Sequence, residues 1–218
     1  KSDFLRFCKN SKKFKNIKIK AVSVHIGSQI TSIGPYKKTL DFLLKMIKST
    51  GINFEFVDLG GGFGIPYNKN DKIIDIKNYA KLVQTFKNKL NCKIIFEPGR
   101  FIIGDTGTLI SKVVFVKKSG KKYFIIIDAG MNDFIRPALY NAKHEIIPVV
   151  KSKKRINGNV EFVGPICESS DTFLKYKNFT SVNEGSLVAI TNVGAYGSTL
   201  SSNYNTRPLA AEIMIKKS

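Results

Sequence analysis

The run Phe56-Val57-Asp58-Leu59-Gly60-Gly61-Gly62-Phe63-Gly64 restricts the possible folds more than any other stretch of the chain. An apolar segment with the pattern of a buried strand stops at three consecutive glycines, and a fourth follows one residue later. Residues without side chains admit positive φ and let backbone N–H groups converge on an anion. Such a strand end is therefore either a bare tight turn or an anion-binding nest, with phosphate as the natural guest. It is not a Walker A loop, because no Gly-Lys-Ser/Thr follows, and it fits the dinucleotide fingerprint poorly.

The neighbouring segments decide what kind of strand this is. Residues 1 to 16 read as the tail of a helix and its loop. Lys18 to His25 alternates like a strand and runs into Ile26-Gly27-Ser28-Gln29. Leu40, Leu43, Leu44 and Ile47 recur at helical spacing, with Gly51 as the stop. Ile76, Tyr79, Ala80, Val83 and Leu90 mark a second amphipathic helix, after which Lys93 to Phe96 forms a strand ending at Glu97-Pro98-Gly99-Arg100. Strand, helix, strand, helix, strand means parallel β/α units, whose ligand sites gather at the strands' carboxyl ends. Three strands cannot close a (β/α)8 barrel, so the segment is a small open sheet or part of something longer.

After about residue 106 the texture changes. Leu109 to Lys118, Lys121 to Asp128, Glu145 to Val150, Val160 to Val163, Ser186 to Thr191 and Leu209 to Ile215 are strand-like, separated by turn residues, with few helical periods. The expected division is 1–107, α/β, and 108–218, all-β.

Composition narrows the function classes. The net charge of +20 raises nucleic acid as a partner, yet the excess is almost all lysine, scattered over every segment, and arginine occurs only at positions 6, 100, 136, 155 and 207. The expectation is a whole-chain bias towards lysine with no specific nucleic-acid site. No apolar run approaches the roughly 18 residues that span a bilayer, and the first residues lack a signal-peptide core. Cys8, Cys92 and Cys167 form no CxxC pair and leave an odd thiol, which favours a reducing, cytoplasmic setting.

Several polar groups stand at strand ends. His25 is either a satisfied structural histidine or a ring that stacks on a flat cofactor, with Ser28 near its phosphate. Glu97 is a surface acid or the partner of a cationic ring nitrogen, and Arg100 offers a fork for a carboxylate. Arg136 and Tyr140 share a face if their segment is helical, which Pro137 leaves open. Cys167-Glu168-Ser169-Ser170-Asp171 sets a thiol beside two acids, and Gly194-Ala195-Tyr196-Gly197 puts a hydroxyl between small residues.

In this order, His25-Ile26-Gly27-Ser28-Gln29, Gly60-Gly61-Gly62, Glu97-Pro98-Gly99-Arg100, Asp128 to Tyr140, Cys167 to Asp171 and Gly194 to Gly197 resemble the fold-type III pyridoxal-phosphate decarboxylases, over nearly the whole chain. Cys-Glu-Ser-Ser-Asp favours the branch acting on diaminopimelate over those acting on ornithine or arginine. The resemblance implies the C-terminal part of a (β/α)8 barrel followed by a β-barrel or sandwich domain, in a homodimer whose active sites are shared across the interface. It implies pyridoxal 5'-phosphate held by Ser28, Gly60, Gly61, Gly62, Gly99, Arg100 and Tyr196, with His25 stacked on the ring and Glu97 on its nitrogen. Arg100, Arg136 and Tyr140 would bind the distal carboxylate of a small amino-acid substrate, Glu168 its distal ammonium, and Cys167 would lie near the carbon being protonated.

The implied reaction is decarboxylation of meso-2,6-diaminopimelate to L-lysine. Nothing in the chain matches the family's cofactor-anchoring lysine, which sits on an early barrel strand, so the expectation is an amino-terminally partial chain, inactive alone. The alternatives are a decarboxylase of ornithine, arginine or a carboxylated polyamine on the same fold, a non-enzymatic cofactor-binding barrel, and a lysine-rich nucleic-acid binder.

Overall fold

The computed structural model describes residues 1–216 with the exception of residue 69. The chain forms two compact units, Lys1–Pro66 with Asn70–Phe101, and Ile102–Ser218 with Tyr67–Lys69.

In the first unit a helix α1 (Ser2–Asn10) precedes three parallel strands, β1 (Ala21–Ser23), β2 (Phe56–Asp58) and β3 (Lys93–Ile95), in the order β1-β2-β3. Helices α2 (Ile33–Thr50) and α3 (Ile76–Leu90) make the connections. Val22 pairs with Val57 and Val57 with Ile94, which puts the apolar face of the central strand against the helices. Leu43 and Val57 are fully buried there, and Tyr36, Leu40 and Ile47 complete the stripe of α2. The strands are shorter than the Lys18 to His25 and Lys93 to Phe96 runs that predict them, because each run opens into its loop. The ladder nevertheless continues past the strands, through Val24 N–H to Asp58 O (3.0 Å), Leu59 N–H to Ile95 O (3.0 Å) and Glu97 N–H to Gly60 O (2.8 Å). Those bonds fix the three carboxyl-end loops against one another.

Helix α3 starts where Asp75 caps it, its carboxylate accepting from Asn78 N–H at 3.0 Å. That start leaves Ile76 on the outside of the first turn, exposed, and Leu90 only half-buried at the last turn; the buried stripe is Tyr79, Val83 and Phe86. A four-residue helix α4 (Arg100–Ile103) follows β3.

The second unit is a six-stranded mixed sheet of β4 (Thr108–Ser119), β5 (Lys122–Ile127), β6 (Ile146–Pro148), β7 (Arg155–Val163), β8 (Thr172–Thr180) and β9 (Leu187–Thr191), in the order β6-β9-β4-β5-β7-β8. Only β5 and β7 run parallel; the other pairs are antiparallel. Its core is Val113, Ile125, Ile127, Phe162, Val188 and Ile190, from alternate positions of the strands, with Phe134 from the segment between β5 and α5. A short helix α5 (Arg136–Tyr140) takes Pro137 in its first turn, where a missing N–H is harmless.

One expected strand fails and one unexpected strand forms. Leu209 to Ile215 forms no strand: it has no regular structure, and Ile213, Met214 and Ile215 are exposed. Alternation alone cannot make a strand without a neighbour to receive its N–H and C=O groups. Conversely, β8 is absent from the sequence reading, since Lys175, Lys177 and Asn178 interrupt its apolar pattern; it forms because β7 pairs with it along most of its length.

Glu161 is nearly buried on β7 and ion-paired to Lys122 on β5 and to Lys175 on β8 (3.3 Å). Burial pushes its carboxyl up, but the bonds from Lys122 and Lys175 outweigh that and hold it below the ordinary carboxylate range. A carboxyl depressed on folding stabilises above its unfolded value of about 4.3, and the contribution is lost as pH falls through the folded value. Glu161→Gln should therefore be less stable than the parent at neutral pH and should converge with it in acid, as followed by thermal unfolding from pH 7 to 2.

Candidate functional site

At the carboxyl ends of β1, β2 and β3 the glycine run is held on every side. Gly60 O accepts from Glu97 N–H (2.8 Å), Gly61 O from the Tyr36 hydroxyl (3.2 Å), and Gly62 O from Ile30 N–H (2.9 Å). Because each peptide is planar and trans, pinning these carbonyls also fixes the directions of the Gly61, Gly62 and Phe63 N–H groups. Gly60 N–H itself donates to Asp58 Oδ1 (2.9 Å), while Asp58 Oδ2 accepts from the Ser23 hydroxyl (3.0 Å).

Close approach is why these positions are glycine. A Cβ on Gly60 would lie 2.6 Å from Val24 O and 3.0 Å from His25 Nδ1, one on Gly61 would run into Glu97 O, and one on Gly62 into Gly27 O. Gly60 and Gly62 also have φ of 63° and 88°. The His25 to Ser28, Gly60 to Gly62 and Glu97 to Gly99 segments thus meet at one rim. His25, Ser28, Glu97 and Gly99 lie on it, and Arg100 is buried at the start of α4.

Behind the loop Tyr36 stacks on Phe63 (5.2 Å between ring centres), with Tyr79 edge-on to both. Burial pushes the Tyr36 hydroxyl up to about 12, so it stays a neutral donor to Gly61 O.

In the second unit the sequence-predicted residues fall into groups held by different partners. Arg136 is buried, with its guanidinium 5.5 Å from the Tyr140 ring centre, and Tyr140 is exposed. Arg136 Nε–H donates to His144 Nε2 at 3.4 Å, and His144 Nδ1 lies 3.1 Å from Thr191 O. Cys167 and Glu168 are exposed on the turn after β7. Glu168 Oε1 accepts from the Tyr204 hydroxyl (2.7 Å), which pushes that phenol up. The turn is tied from below by Asp171, whose two carboxylate oxygens accept from Met131 N–H and Ile166 N–H, each at 2.7 Å. Tyr196 is exposed next to Gly194, whose N–H donates to Gly104 O (3.1 Å), and Gly197, whose N–H donates to Val193 O (3.0 Å).

Sequence reasoning missed Asp58, Tyr36, His144 and Tyr204, each of which holds a residue it did single out. Asp58 had a local signal, an acid two residues ahead of a glycine N–H. The others are 25 to 36 residues from their partners, except His144, eight from Arg136 in a segment without periodicity.

The first unit thus presents a pinned glycine turn at the ends of parallel strands, and the second a mixed sheet with a buried arginine and an exposed turn carrying a thiol and an acid. Residues 41–194 match the family described as pyridoxal-dependent decarboxylase, C-terminal sheet domain, and the chain belongs to that family. It is 42% identical over 207 residues to a diaminopimelate decarboxylase of Aquifex aeolicus, covering 94% of this chain and 49% of that protein. A diaminopimelate decarboxylase of Helicobacter pylori is 43% identical over 199 residues, covering 90% of this chain and 49% of that protein. The crystal structure of diaminopimelate decarboxylase from H. pylori complexed with L-lysine superposes with a TM-score of 0.87 at 40% identity, over 95% of this chain and 52% of that one. The chain therefore spans about half the length of the curated relatives it matches. Among the described residues no helix is long and apolar enough to cross a membrane.

Proposed function

We propose that this chain works in the pyridoxal 5'-phosphate-dependent decarboxylation of meso-2,6-diaminopimelate to L-lysine and CO2. The observation that carries the proposal is the meeting of the His25 to Ser28, Gly60 to Gly62 and Glu97 to Gly99 loops around a pinned, amide-rich turn. The residues present fit the cofactor: its phosphate needs backbone N–H groups of fixed direction, small side chains and a hydroxyl, and this rim supplies all three. On this reading residues 1–107 are the C-terminal part of a (β/α)8 barrel and 108–218 a β-barrel domain, in a cytoplasmic homodimer that shares its active sites.

Ser28, the Gly60 to Gly62 turn, Gly99, Arg100 and Tyr196 would hold the phosphate, and His25 would stack on the ring. When bound, the cofactor supplies a sink for the electron pair left as CO2 departs. Glu97 keeps the ring nitrogen protonated, because a close carboxylate favours the cationic form. Arg100, Arg136 and Tyr140 take the substrate's distal carboxylate, where a planar guanidinium offers paired donors. Glu168 takes the distal ammonium, and Cys167 stands near the carbon that receives a proton.

The deciding assay is CO2 release by the full-length protein, loaded with cofactor, from meso-diaminopimelate, L-ornithine and L-arginine. We expect turnover of the first only, and Glu168→Ala should lower its kcat/KM by about tenfold or more. Equal turnover of ornithine, or indifference to Glu168→Ala, would remove the diaminopimelate assignment.

A further inference from the structure

We propose that Tyr204 is a positioning residue that aims the Glu168 carboxylate at the substrate's distal ammonium. The inference deepens the proposed function and rests on its reading of Glu168 as the ammonium ligand. Glu168 stands exposed on the turn after β7, where a long side chain would otherwise move among many rotamers. Its Oε1 accepts from the Tyr204 hydroxyl at 2.7 Å, and since a carboxylate oxygen only accepts, the phenol is the donor. Among the described residues no other group bonds that carboxylate, so Oε2 remains for a ligand.

The hydroxyl has a fixed place because its segment is strapped to the loop after β5. Ser202 N–H donates to Asn132 O (2.9 Å) and the Asn132 amide donates back to Ser202 O (3.4 Å), with Asn132 itself buried. Beyond Tyr204, the Arg207 guanidinium lies 3.5 Å from Asp133 Oδ2 and donates to Asp128 O. Between these anchors the turn closes on itself, Arg207 N–H donating to Tyr204 O (3.4 Å) and the Asn203 amide to Arg207 O (3.2 Å). Thr206 sits there at φ 55°, a region β-branched residues rarely enter, as expected of a turn held by its anchors. The Glu168 turn is tied to the same loop, through Asp171 and Met131 N–H. Both ends of the Tyr204–Glu168 bond are thus fastened to one base.

A bond between two exposed side chains adds little to folding. Its consequence is for binding: an ammonium meets a carboxylate that is already ordered, and the rotamer freedom that binding would otherwise remove is gone before the ligand arrives.

The test is a double-mutant cycle in the full-length protein loaded with cofactor. It reads kcat and KM for diaminopimelate and the inhibition constant of L-lysine, which keeps the ammonium and lacks the distal carboxylate. Tyr204→Phe deletes only a hydroxyl from a residue that is 47% exposed, so the fold survives it. We expect KM and the L-lysine Ki to rise about three- to tenfold, with kcat within about twofold of the parent. Glu168→Ala should raise both constants about tenfold or more, and adding Tyr204→Phe to it should change neither beyond about twofold, because the hydroxyl then has nothing to aim.

A tyrosine with a merely structural role would lower kcat with KM unmoved, or would weaken L-lysine equally with and without Glu168; either result overturns the proposal. If Glu168→Ala weakens L-lysine and Tyr204→Phe does not, the positioning role falls while the ammonium reading stands. If Glu168→Ala leaves L-lysine inhibition unchanged, the ammonium reading falls and this inference with it.

Discussion

Gly61→Ala should cost the protein its cofactor and a large part of the stability of its first unit. The added Cβ would run into the carbonyl oxygen of Glu97, and the Glu97 peptide cannot retreat, since its N–H is bonded to Gly60 O and the preceding residues are paired in β3. Nor can Gly61 move the other way without breaking the Tyr36 bond to its own carbonyl, deep in the stacked Tyr36–Phe63 pair. Overpacking against a fixed backbone costs about 1–3 kcal/mol, and the lost buried bond adds about 1 kcal/mol. Thermal unfolding should register this as a lower melting temperature, and in the full-length protein absorbance after gel filtration should show no retained pyridoxal phosphate. Ser28→Ala provides the contrast. Its side chain is exposed on the same rim, so stability should stay within about 0.5 kcal/mol while cofactor affinity falls. A Gly61→Ala protein that melts like its parent and keeps the cofactor would mean that the turn is looser than its hydrogen bonds imply.

That contrast separates what was legible in the sequence from what was not. The β/α pattern could be read because α2 and α3 obey a local rule: residues three and four apart share a face, and Leu40, Leu43 and Ile47 advertise it. The glycine run could be read because few backbones other than a strained turn require three glycines together. Its partners could not. Tyr36 belongs to the stripe of α2 and looks like core; only the fold reveals that its hydroxyl reaches Gly61 O. The same holds in the sheet unit, where β8 is invisible as a pattern and secure as a neighbour of β7. Leu209 to Ile215 is the reverse case, a strand pattern with no pairing among the described residues. Candidate residues at strand ends were thus identifiable by type and place. The residues that aim them depend on contacts across long sequence separations, and no local spacing encodes those.

Asp171→Ala should produce the second large effect, on the turn that presents Cys167 and Glu168. Asp171 is 3% exposed, and its carboxylate sits where a side chain on Gly164 would otherwise be, between the N–H groups of Met131 and Ile166. Burial pushes this carboxyl up; the bonds from Ile166 and Met131 and the nearby charge of Arg207 act the other way. Its backbone closes the turn as well, with Asp171 N–H donating to Glu168 O (3.1 Å) and Gly164 N–H donating to Asp171 O (3.0 Å). Alanine keeps those backbone bonds but strands two buried donors, each costing about 1–3 kcal/mol, so a loss of about 3 kcal/mol or more is expected in urea unfolding. Asparagine should fall between, since its oxygen can still accept from one N–H while its amide nitrogen faces the other as a second donor. The functional readout follows from geometry: Glu168 lies three residues before Asp171, and among the described residues only Tyr204 bonds its carboxylate. Loosening the turn should therefore raise the KM for diaminopimelate in the full-length protein more than it lowers kcat. If Asp171→Ala unfolds at the parent's urea midpoint, the two N–H groups have found other acceptors, and Asp171 cannot be what holds the turn in place.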